Sequence, residues 1–142
     1  MSLRCREVIF VDTSAFYALE VEDDINHLKA LNFVRKELST GKHGLLITSE
    51  YVLDECLTLL RMRYGIESAL EFYDKIRRSK SLRIIWVNEE LFNETFNFFK
   101  KNRKFKWSFT DCVSFTIMDK LGIVKAFTFD ENFVKAGFIK LP

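Results

Sequence analysis

The 142-residue sequence predicts an α/β fold: a three-layer α/β/α arrangement around a mainly parallel sheet of four or five short strands. The first observation behind this prediction is that short apolar runs alternate with longer segments whose apolar residues recur at helical spacing. The second is that the one proline is the last residue and no stretch has the composition of a linker. We therefore expect a single domain over residues 1–142.

Four apolar runs are predicted to be buried strands, because each is short and is followed by turn or helix-start residues. They lie at 8–11, 45–47, 84–87 and 124–129, and residues 138–139 are predicted to add an edge strand. In a parallel sheet the carboxyl ends of all strands meet at one edge, which is where open α/β sheets bind their ligands.

Helices are predicted between these strands, at 14–20, 25–38, 50–64, 67–79, 89–99 and 108–121. Gly41, Gly65 and Gly122 follow three of these segments and are expected to end them. The inner face of helix 67–79 is assigned to Leu70, Tyr73 and Ile76. That of helix 89–99 is assigned to Leu91, Phe92, Thr95, Phe96 and Phe99.

Composition excludes several classes of protein. No apolar run approaches the roughly 18 residues that cross a membrane, and the charged N-terminus is not followed by the apolar region of a signal peptide. The cysteines, at 5, 56 and 112, lack metal-ligand spacing and are expected to be core residues in a reducing cytoplasm. His27 and His43 lie far apart in polar surroundings, which argues against a histidine-rich metal site. The formal charge of +2 is too small to indicate nucleic acid by itself.

Four acidic residues are predicted to meet at one edge of the sheet. Asp12 and Asp130 each follow an apolar strand directly, Asp111 opens the helix before the last of these strands, and Glu55 lies about two turns into the helix after the second. Clustered carboxylates repel one another unless a cation neutralises them. Oxygen ligands of this kind suit Mg²⁺ or Mn²⁺, so the sequence predicts a divalent-metal site with Asp12, Glu55, Asp111 and Asp130 as ligands.

Each acid also has a plainer interpretation. Asp111 fits a capping box with Ser108, and Asp130 fits an ordinary turn. Asp12 fits the cap of the following helix, and Glu55 fits a solvated helix position like those of Asp54 and Glu50. The metal-site hypothesis is favoured because two acids directly follow buried strands and a third opens the helix between them.

Four segments, taken in order, resemble the PIN-domain family. They are Val-Asp-Thr-Ser-Ala-Phe at 11–16, Thr-Ser-Glu-Tyr-Val-Leu-Asp-Glu-Cys-Leu-Thr-Leu-Leu at 48–60, Phe-Thr-Asp-Cys-Val-Ser-Phe at 109–115 and Ala-Phe-Thr-Phe-Asp-Glu-Asn-Phe at 126–133. The chain is most similar to single-domain prokaryotic members, which include VapC-type toxins of toxin–antitoxin pairs. The resemblance covers essentially the whole chain.

The resemblance implies a Mg²⁺- or Mn²⁺-dependent endoribonuclease, with RNA as substrate, an antitoxin protein as partner, a homodimeric state and a cytoplasmic location. It assigns catalysis and metal binding to the same four acids, Asp12, Glu55, Asp111 and Asp130. It also implies supporting roles for Thr13 or Ser14 beside the first acid and for Thr128 two residues before the last. Some relatives carry one more acid after this point, where this chain has Asn132.

The segment 100–107 combines cations with aromatic residues just before the Asp111 helix. Such a combination suits a path for single-stranded RNA, with cations on phosphates and rings on bases. The candidates are Lys100, Lys101, Arg103, Lys104, Lys106 and Trp107. The alternative is a solvated loop with Phe105 and Trp107 in the core. A second basic group, Arg77, Arg78, Lys80 and Arg83, is interpreted as a solvated helix end.

Two other functions remain as alternatives. One is a non-catalytic PIN scaffold that binds RNA or partner proteins, against which the four retained acids argue. The other is a phosphoryl-transfer domain that forms an aspartyl phosphate. A phosphatase of that kind needs Asp-x-Asp after the first strand, and this chain has Ser14 at the third position.

Overall fold

The computed structural model describes residues 7–40 and 43–142. Its strands form one parallel sheet in the order β3-β2-β1-β4-β5. Their bounds are β1 Glu7–Val11, β2 His43–Ser49, β3 Leu82–Ile85, β4 Lys125–Phe127 and β5 Ile139–Leu141. The predicted three-layer α/β/α fold with its mainly parallel sheet is confirmed.

Helices connect the strands and pack on the sheet. Their bounds are α1 Thr13–Glu20, α2 His27–Phe33, α3 Glu50–Tyr64, α4 Ile66–Arg78, α5 Glu89–Lys101, α6 Phe109–Leu121 and α7 Asn132–Lys135. A π-helical turn, Val34–Leu38, continues α2 to the predicted end of that helix. Gly41, the predicted stop, lies outside the described residues. Helix α7 was not predicted because it is a single turn. None of the described helices has both the length and the apolar character of a membrane-spanning segment.

Polar side chains begin three of the helices as the sequence predicts. Ser49 accepts a hydrogen bond from the Val52 N–H (3.2 Å), and Asn88 accepts one from the Leu91 N–H (2.9 Å). Ser108 accepts one from the Asp111 N–H. These bonds satisfy backbone donors that the first turn of a helix leaves unpaired. At the other end of α6, Gly122 adopts the left-handed conformation with φ of 69°, which an L-residue seldom adopts.

The predicted inner face of α4 is right at Ile76 and wrong at Leu70 and Tyr73. The buried residues are Ala69, Phe72 and Ile76, whereas Leu70 is 55% exposed and Tyr73 lies at the surface. Adjacent helix positions point about 100° apart, so a face centred on Ala69, Phe72 and Ile76 turns Leu70 and Tyr73 outward. Apolar periodicity alone could not choose between two overlapping stripes in this helix.

The predicted inner face of α5 is only partly right. Leu91 and Thr95 are buried, but Phe92, Phe96 and Phe99 are each 40–45% exposed. The Phe109 ring at the start of α6 packs on two of them, 5.1 Å from Phe92 and 5.6 Å from Phe99. These phenylalanines therefore form a surface layer rather than the core. Strand β3 likewise lies two residues before its predicted position and leaves Trp86 at the surface.

The topology places a ligand-binding edge beside β1. Strand β1 is central, with Ile9, Phe10 and Val11 at most 1% exposed. The chain adds β2 on one side of β1 and β4 on the other. In open α/β sheets this reversal opens a crevice at the carboxyl ends of the two diverging strands. The first residue after β1 is Asp12, whose N–H donates to the Phe127 carbonyl of β4 (3.1 Å).

Cys56 and Cys112 are buried as predicted, and Cys5 lies outside the described residues.

The core around α6 generates a stability prediction. Phe115 is 1% exposed and packs against Trp107, Phe133 and Phe138. Phe115→Ala is expected to reduce the free energy of unfolding by about 3–5 kcal/mol, because it leaves a cavity in a packed interior. Phe92→Ala, at a half-exposed site, is the matched control and should cost about 1 kcal/mol or less. Urea unfolding followed by circular dichroism measures both, and equal losses would contradict this description of the core.

Candidate active site

The Asp12 carboxylate is buried at the end of β1 and is held by two hydroxyl groups. Asp12 is 5% exposed. Its Oδ2 accepts hydrogen bonds from Ser14 Oγ (2.8 Å) and from Thr128 Oγ1 (2.9 Å). Ser14 lies in the first turn of α1, and Thr128 follows β4. The two hydroxyls therefore tie the carboxylate to both of the strands that border the crevice.

Backbone N–H groups fix the direction in which these hydroxyls donate. The Phe129 N–H donates to Ser14 Oγ (2.9 Å), and the Asp130 N–H donates to Thr128 Oγ1 (3.0 Å). Ser14 Oγ and Thr128 Oγ1 also lie 3.1 Å apart. Because an ionised carboxylate can only accept, the bonds to Asp12 require each hydroxyl to direct its one proton toward Asp12. This arrangement is preorganised for an ionised Asp12.

Asp130 lies beside this network, three residues beyond the end of β4. Its Oδ1 accepts from the Asn132 N–H (2.9 Å), an Asx turn that fixes the carboxylate. Asn132 enters this turn through its backbone, and its side chain does not line the cavity described below. The turn interpretation of Asp130 is thus correct locally and is compatible with a place in the site.

Asp111 combines two roles that the sequence left as alternatives. The capping box is present, because Ser108 Oγ accepts from the Asp111 N–H (3.0 Å) and Asp111 Oδ2 accepts from the Ser108 N–H (3.1 Å). The same carboxylate lines a cavity with Asp12 and Asp130. The capping box fixes the rotamer of Asp111 and leaves its other oxygen outside that bond.

The three acids of α3 separate clearly in the structure. The Glu50 carboxylate accepts from the Val87 N–H through both oxygens (3.0 and 2.7 Å), which ties α3 to the segment after β3. Asp54 is exposed. Glu55 lines the same cavity as Asp12 and Asp111, in agreement with the register that favoured it over its neighbours.

One cavity of about 220 Å³ therefore brings together the four predicted acids, which are Asp12, Glu55, Asp111 and Asp130. We call it the acidic cavity. Thr13 and Ser14 also line it, as do three residues that sequence reasoning missed: Tyr17, Leu59 and Arg63. Leu59 and Arg63 could have been found from their spacing to Glu55 in the sequence. Glu55, Leu59 and Arg63 follow one another at intervals of four along α3, so their side chains share one face of that helix.

Burial and the charges of neighbouring carboxylates raise the pKa of two of the acids, Asp12 and Asp111. Burial raises the pKa of Asp12 to about 6, and the charge of Asp130 adds to the rise, while the Ser14 and Thr128 hydrogen bonds oppose it. Burial also raises the pKa of Asp111 to about 6, with further increases from the charges of Asp12, Asp130 and Glu55. The mutual effect of these charges indicates that the carboxylates act on one another across the cavity, so a cation there would be favoured.

The donor set fits a hard divalent cation that keeps part of its water shell. In the described residues, no three acidic, histidine or cysteine side chains lie close enough together to hold a metal ion between them. Mg²⁺ is usually held by one or two carboxylates plus several waters, so an open cavity with four carboxylates suits it better than a cage. Thr13 adds a buried hydroxyl that has no hydrogen-bond partner in the described residues. Among the described residues, the cavity is lined by oxygen donors and by no cysteine or histidine, which argues against a softer metal.

The cations expected to bind RNA are exposed, whereas the tryptophan that follows them is buried. Lys100 and Lys101 lie at the end of α5, and Arg103, Lys104 and Lys106 lie in the following loop; all five side chains are exposed. Trp107, in contrast, is 8% exposed and stacks parallel to Phe98 and Phe105, with ring centroids 5.9 and 4.2 Å away. Its ring is a core contact, so the expectation that it offers a free stacking face for a base is wrong.

Comparison with known proteins agrees with this fold. The PIN domain model matches residues 9–139. The chain therefore belongs to the PIN-domain family. It is 35% identical over 134 residues to the 23S rRNA-specific endonuclease VapC20 of Mycobacterium tuberculosis, covering 94% of this chain and 98% of the relative. It is 29% identical over 124 residues to a VapC ribonuclease of Archaeoglobus fulgidus, covering 87% of this chain and 77% of that protein.

Two solved structures superpose on this chain. The crystal structure of M. tuberculosis VapC20, described as a sarcin-ricin loop cleaving toxin, superposes with a TM-score of 0.82 at 34% identity, over 92% of this chain and 96% of the other. VapBC2 from Rickettsia felis, solved bound to a DNA fragment from their promoter, superposes with a TM-score of 0.63 at 12% identity, over 94% and 96% of the chains. The second similarity shows the fold alone.

The raised pKa of Asp12 generates a prediction for the metal-free protein. Because the folded state holds the Asp12 proton more tightly than the unfolded chain does, the stability present below about pH 4 is lost as the pH rises through about 6. Asp12→Asn removes this loss. The free energy of unfolding of Asp12→Asn relative to wild type should therefore rise by on the order of 2–3 kcal/mol between pH 4 and pH 7.

Urea unfolding in EDTA at several pH values measures this difference. Asp54→Asn, at an exposed position of α3, is the matched control and should differ from wild type by a constant amount. A constant difference for Asp12→Asn as well would contradict the inferred ionisation of Asp12.

Proposed function

We propose that this protein is a divalent-metal-dependent endoribonuclease that hydrolyses RNA phosphodiester bonds. The observation that carries the proposal is the convergence of Asp12, Glu55, Asp111 and Asp130 on one cavity at the carboxyl edge of the sheet. Hydrolysis of a phosphodiester requires an activated water and relief of negative charge on the phosphate, both of which such a site supplies. The VapC relatives, which are named as ribonucleases, support the same activity.

The four carboxylates are proposed to hold Mg²⁺ or Mn²⁺. When bound, the metal lowers the pKa of the attacking water and offsets charge on the phosphate oxygens. The protein's contribution is to position the ligands. Ser14 and Thr128 hold Asp12, the capping box holds Asp111, and the Asx turn holds Asp130. Because these side chains are fixed beforehand, little reorganisation is needed when substrate enters.

Arg63 is proposed to bind a phosphate of the substrate. Among the described residues that line the acidic cavity, it is the one cation. Its Nη1 donates to the Tyr17 hydroxyl (2.9 Å), and its guanidinium carbon lies 5.5 Å from the centre of the Tyr17 ring. Tyr17 therefore fixes one edge of the guanidinium and leaves its other donors for phosphate oxygens. A cation at this place also lowers the repulsion between a polyanionic substrate and the acids.

Ribosomal RNA is the first substrate to test, because the M. tuberculosis relative is named as a 23S rRNA-specific endonuclease. The same relative is described as a toxin. We therefore propose that this protein acts as a toxin with an antitoxin partner, as a homodimer and in the cytoplasm. The scaffold alternative makes the opposite prediction for catalysis, and the next experiment separates the two.

Glu55→Gln is expected to reduce the rate of RNA cleavage by at least about 100-fold, the loss typical of one group that stabilises the transition state. Asp54→Asn is the matched control, since it removes the adjacent acid of the same helix at an exposed position and should leave the rate within about twofold. Labelled ribosomal RNA, with Mg²⁺, Mn²⁺ or EDTA, provides the measurement. Equal rates for the two variants would contradict the role of Glu55, and no cleavage by wild type of isolated or ribosome-bound RNA would favour the scaffold.

Metal binding is expected to stabilise the folded protein. A ligand at about 100 times its Kd stabilises the native state by about 2.7 kcal/mol, so millimolar Mg²⁺ or Mn²⁺ should raise the Tm by several degrees. The double variant Asp12→Asn/Asp111→Asn should show no rise, because it loses two of the four carboxylates. Asp54→Asn should retain the full rise. An equal rise in wild type and in the double variant would place the metal elsewhere.

A further inference from the structure

A second cavity, of about 310 Å³, lies between the end of α5 and the first turn of α6. We call it the aromatic–basic pocket, and six of the residues that line it define its chemistry: Phe96, Phe99, Lys100, Asn102, Arg103 and Phe105. Its volume is at the lower end of the range for small-molecule sites, about 300–1,000 Å³. None of these residues lines the acidic cavity.

The pocket combines half-exposed rings with cations placed beside them. Phe96 and Phe99 each keep 40–45% of their surface exposed, and their ring centroids are 6.4 Å apart. Lys100 Nζ lies 5.8 Å from the centre of the Phe96 ring, and Lys104 Nζ lies 5.2 Å from that of Phe105. Bases stack on exposed aromatic rings while nearby cations bind the adjoining phosphates.

The charge of this surface favours a polyanion over a protein side chain. Five cations and no acid occur in residues 100–107. None of these cations forms an ion pair with the described part of the chain. Arg103 is oriented by its own backbone contact, since its Nε donates to the Lys100 carbonyl (3.3 Å). Its terminal nitrogens are then directed away from that bond.

The wall of the pocket also contains a residue with an unmet hydrogen bond. Trp107 lines the pocket, and its buried indole N–H has no acceptor in the described residues. Cys112 lines the pocket as well, and the preceding residue, Asp111, lines the acidic cavity. The two cavities therefore lie on neighbouring faces of the same first turn of α6.

We propose that the aromatic–basic pocket binds one nucleotide of single-stranded RNA that lies outside the cleaved bond, with its base against Phe96 and Phe99 and its phosphate at Lys100 and Arg103. This inference rests on the proposed function and adds a subsite that selects substrate. A base held here fixes where the strand crosses the acidic cavity, so the pocket contributes to the choice of the cleaved bond.

Binding is tested in an Asp12→Asn background with a short fluorescein-labelled single-stranded RNA and fluorescence anisotropy. Lys100→Ala/Arg103→Ala should weaken binding at least tenfold and reduce the slope of log K against log salt by about 0.7, because one single-strand phosphate contact is lost. Arg77→Ala/Arg78→Ala is the matched control, because it removes two exposed cations at the end of α4. The Arg77→Ala/Arg78→Ala control should change the Kd for the labelled RNA less than threefold.

A second pair of variants tests the base. Phe99→Ala should weaken binding of the intact RNA at least fivefold and leave binding of an RNA with abasic positions unchanged, because only the stacking contact is lost. Phe92→Ala, a half-exposed phenylalanine of the same helix outside the pocket, should change neither. Circular dichroism confirms that each variant is folded.

Equal weakening by the two double variants would overturn the pocket, since the cations would then act only through net charge. Absence of RNA binding by Asp12→Asn protein would overturn it as well. Cleavage by wild type is scored separately. Pocket-dependent binding without cleavage would reject the proposed nuclease and retain the pocket, whereas cleavage with unchanged binding in Lys100→Ala/Arg103→Ala would reject the pocket alone.

Discussion

The buried Asp12 carboxylate is the constraint on which the rest of the site depends. A carboxylate that is 5% exposed is costly unless hydrogen bonds or a cation compensate for lost solvation. Ser14 and Thr128 compensate in part, and the raised pKa of Asp12 shows that the compensation is incomplete. Asp111 and Asp130 add more negative charge beside it. The metal-free fold therefore stores electrostatic repulsion that a divalent cation would relieve.

The parallel sheet explains why these groups meet. Asp12 and Thr128 come from distant parts of the chain, and the pairing of β1 with β4 brings them within 2.9 Å of each other. Helix α3 contributes Glu55 together with Arg63 to the same cavity, and the capping box of α6 contributes Asp111. Asp111 serves in a capping box and Asp130 in an Asx turn, so the plain and the functional interpretations apply to both residues, whereas the Asp12 side chain makes no cap hydrogen bond to α1. Local roles of this kind help a small domain to position carboxylates on well-ordered elements.

The sequence was sufficient for the fold class and for the four acids, because both depend on local signals. Short apolar runs mark the strands, and residues shortly after their carboxyl ends lie at one edge of the sheet, as Asp12 does directly after β1 and Asp130 does three residues after β4. It was insufficient for the outward faces of α4 and α5, where the apolar residues form overlapping stripes and only tertiary packing decides which residues are buried. Arg63 shares a helix face with Glu55 and was recoverable from that spacing, whereas the burial of Trp107 depends on stacking with Phe98 and Phe105. Contacts of this kind have no periodic signature.

The central claim is that the four acids form one divalent-metal site, and anomalous diffraction from a crystal soaked in Mn²⁺ tests it most directly. The account predicts one or two anomalous peaks among Asp12, Glu55, Asp111 and Asp130, with no such peak in the Asp12→Asn/Asp111→Asn variant. A fully occupied peak elsewhere, or none near these carboxylates at millimolar Mn²⁺, would contradict it.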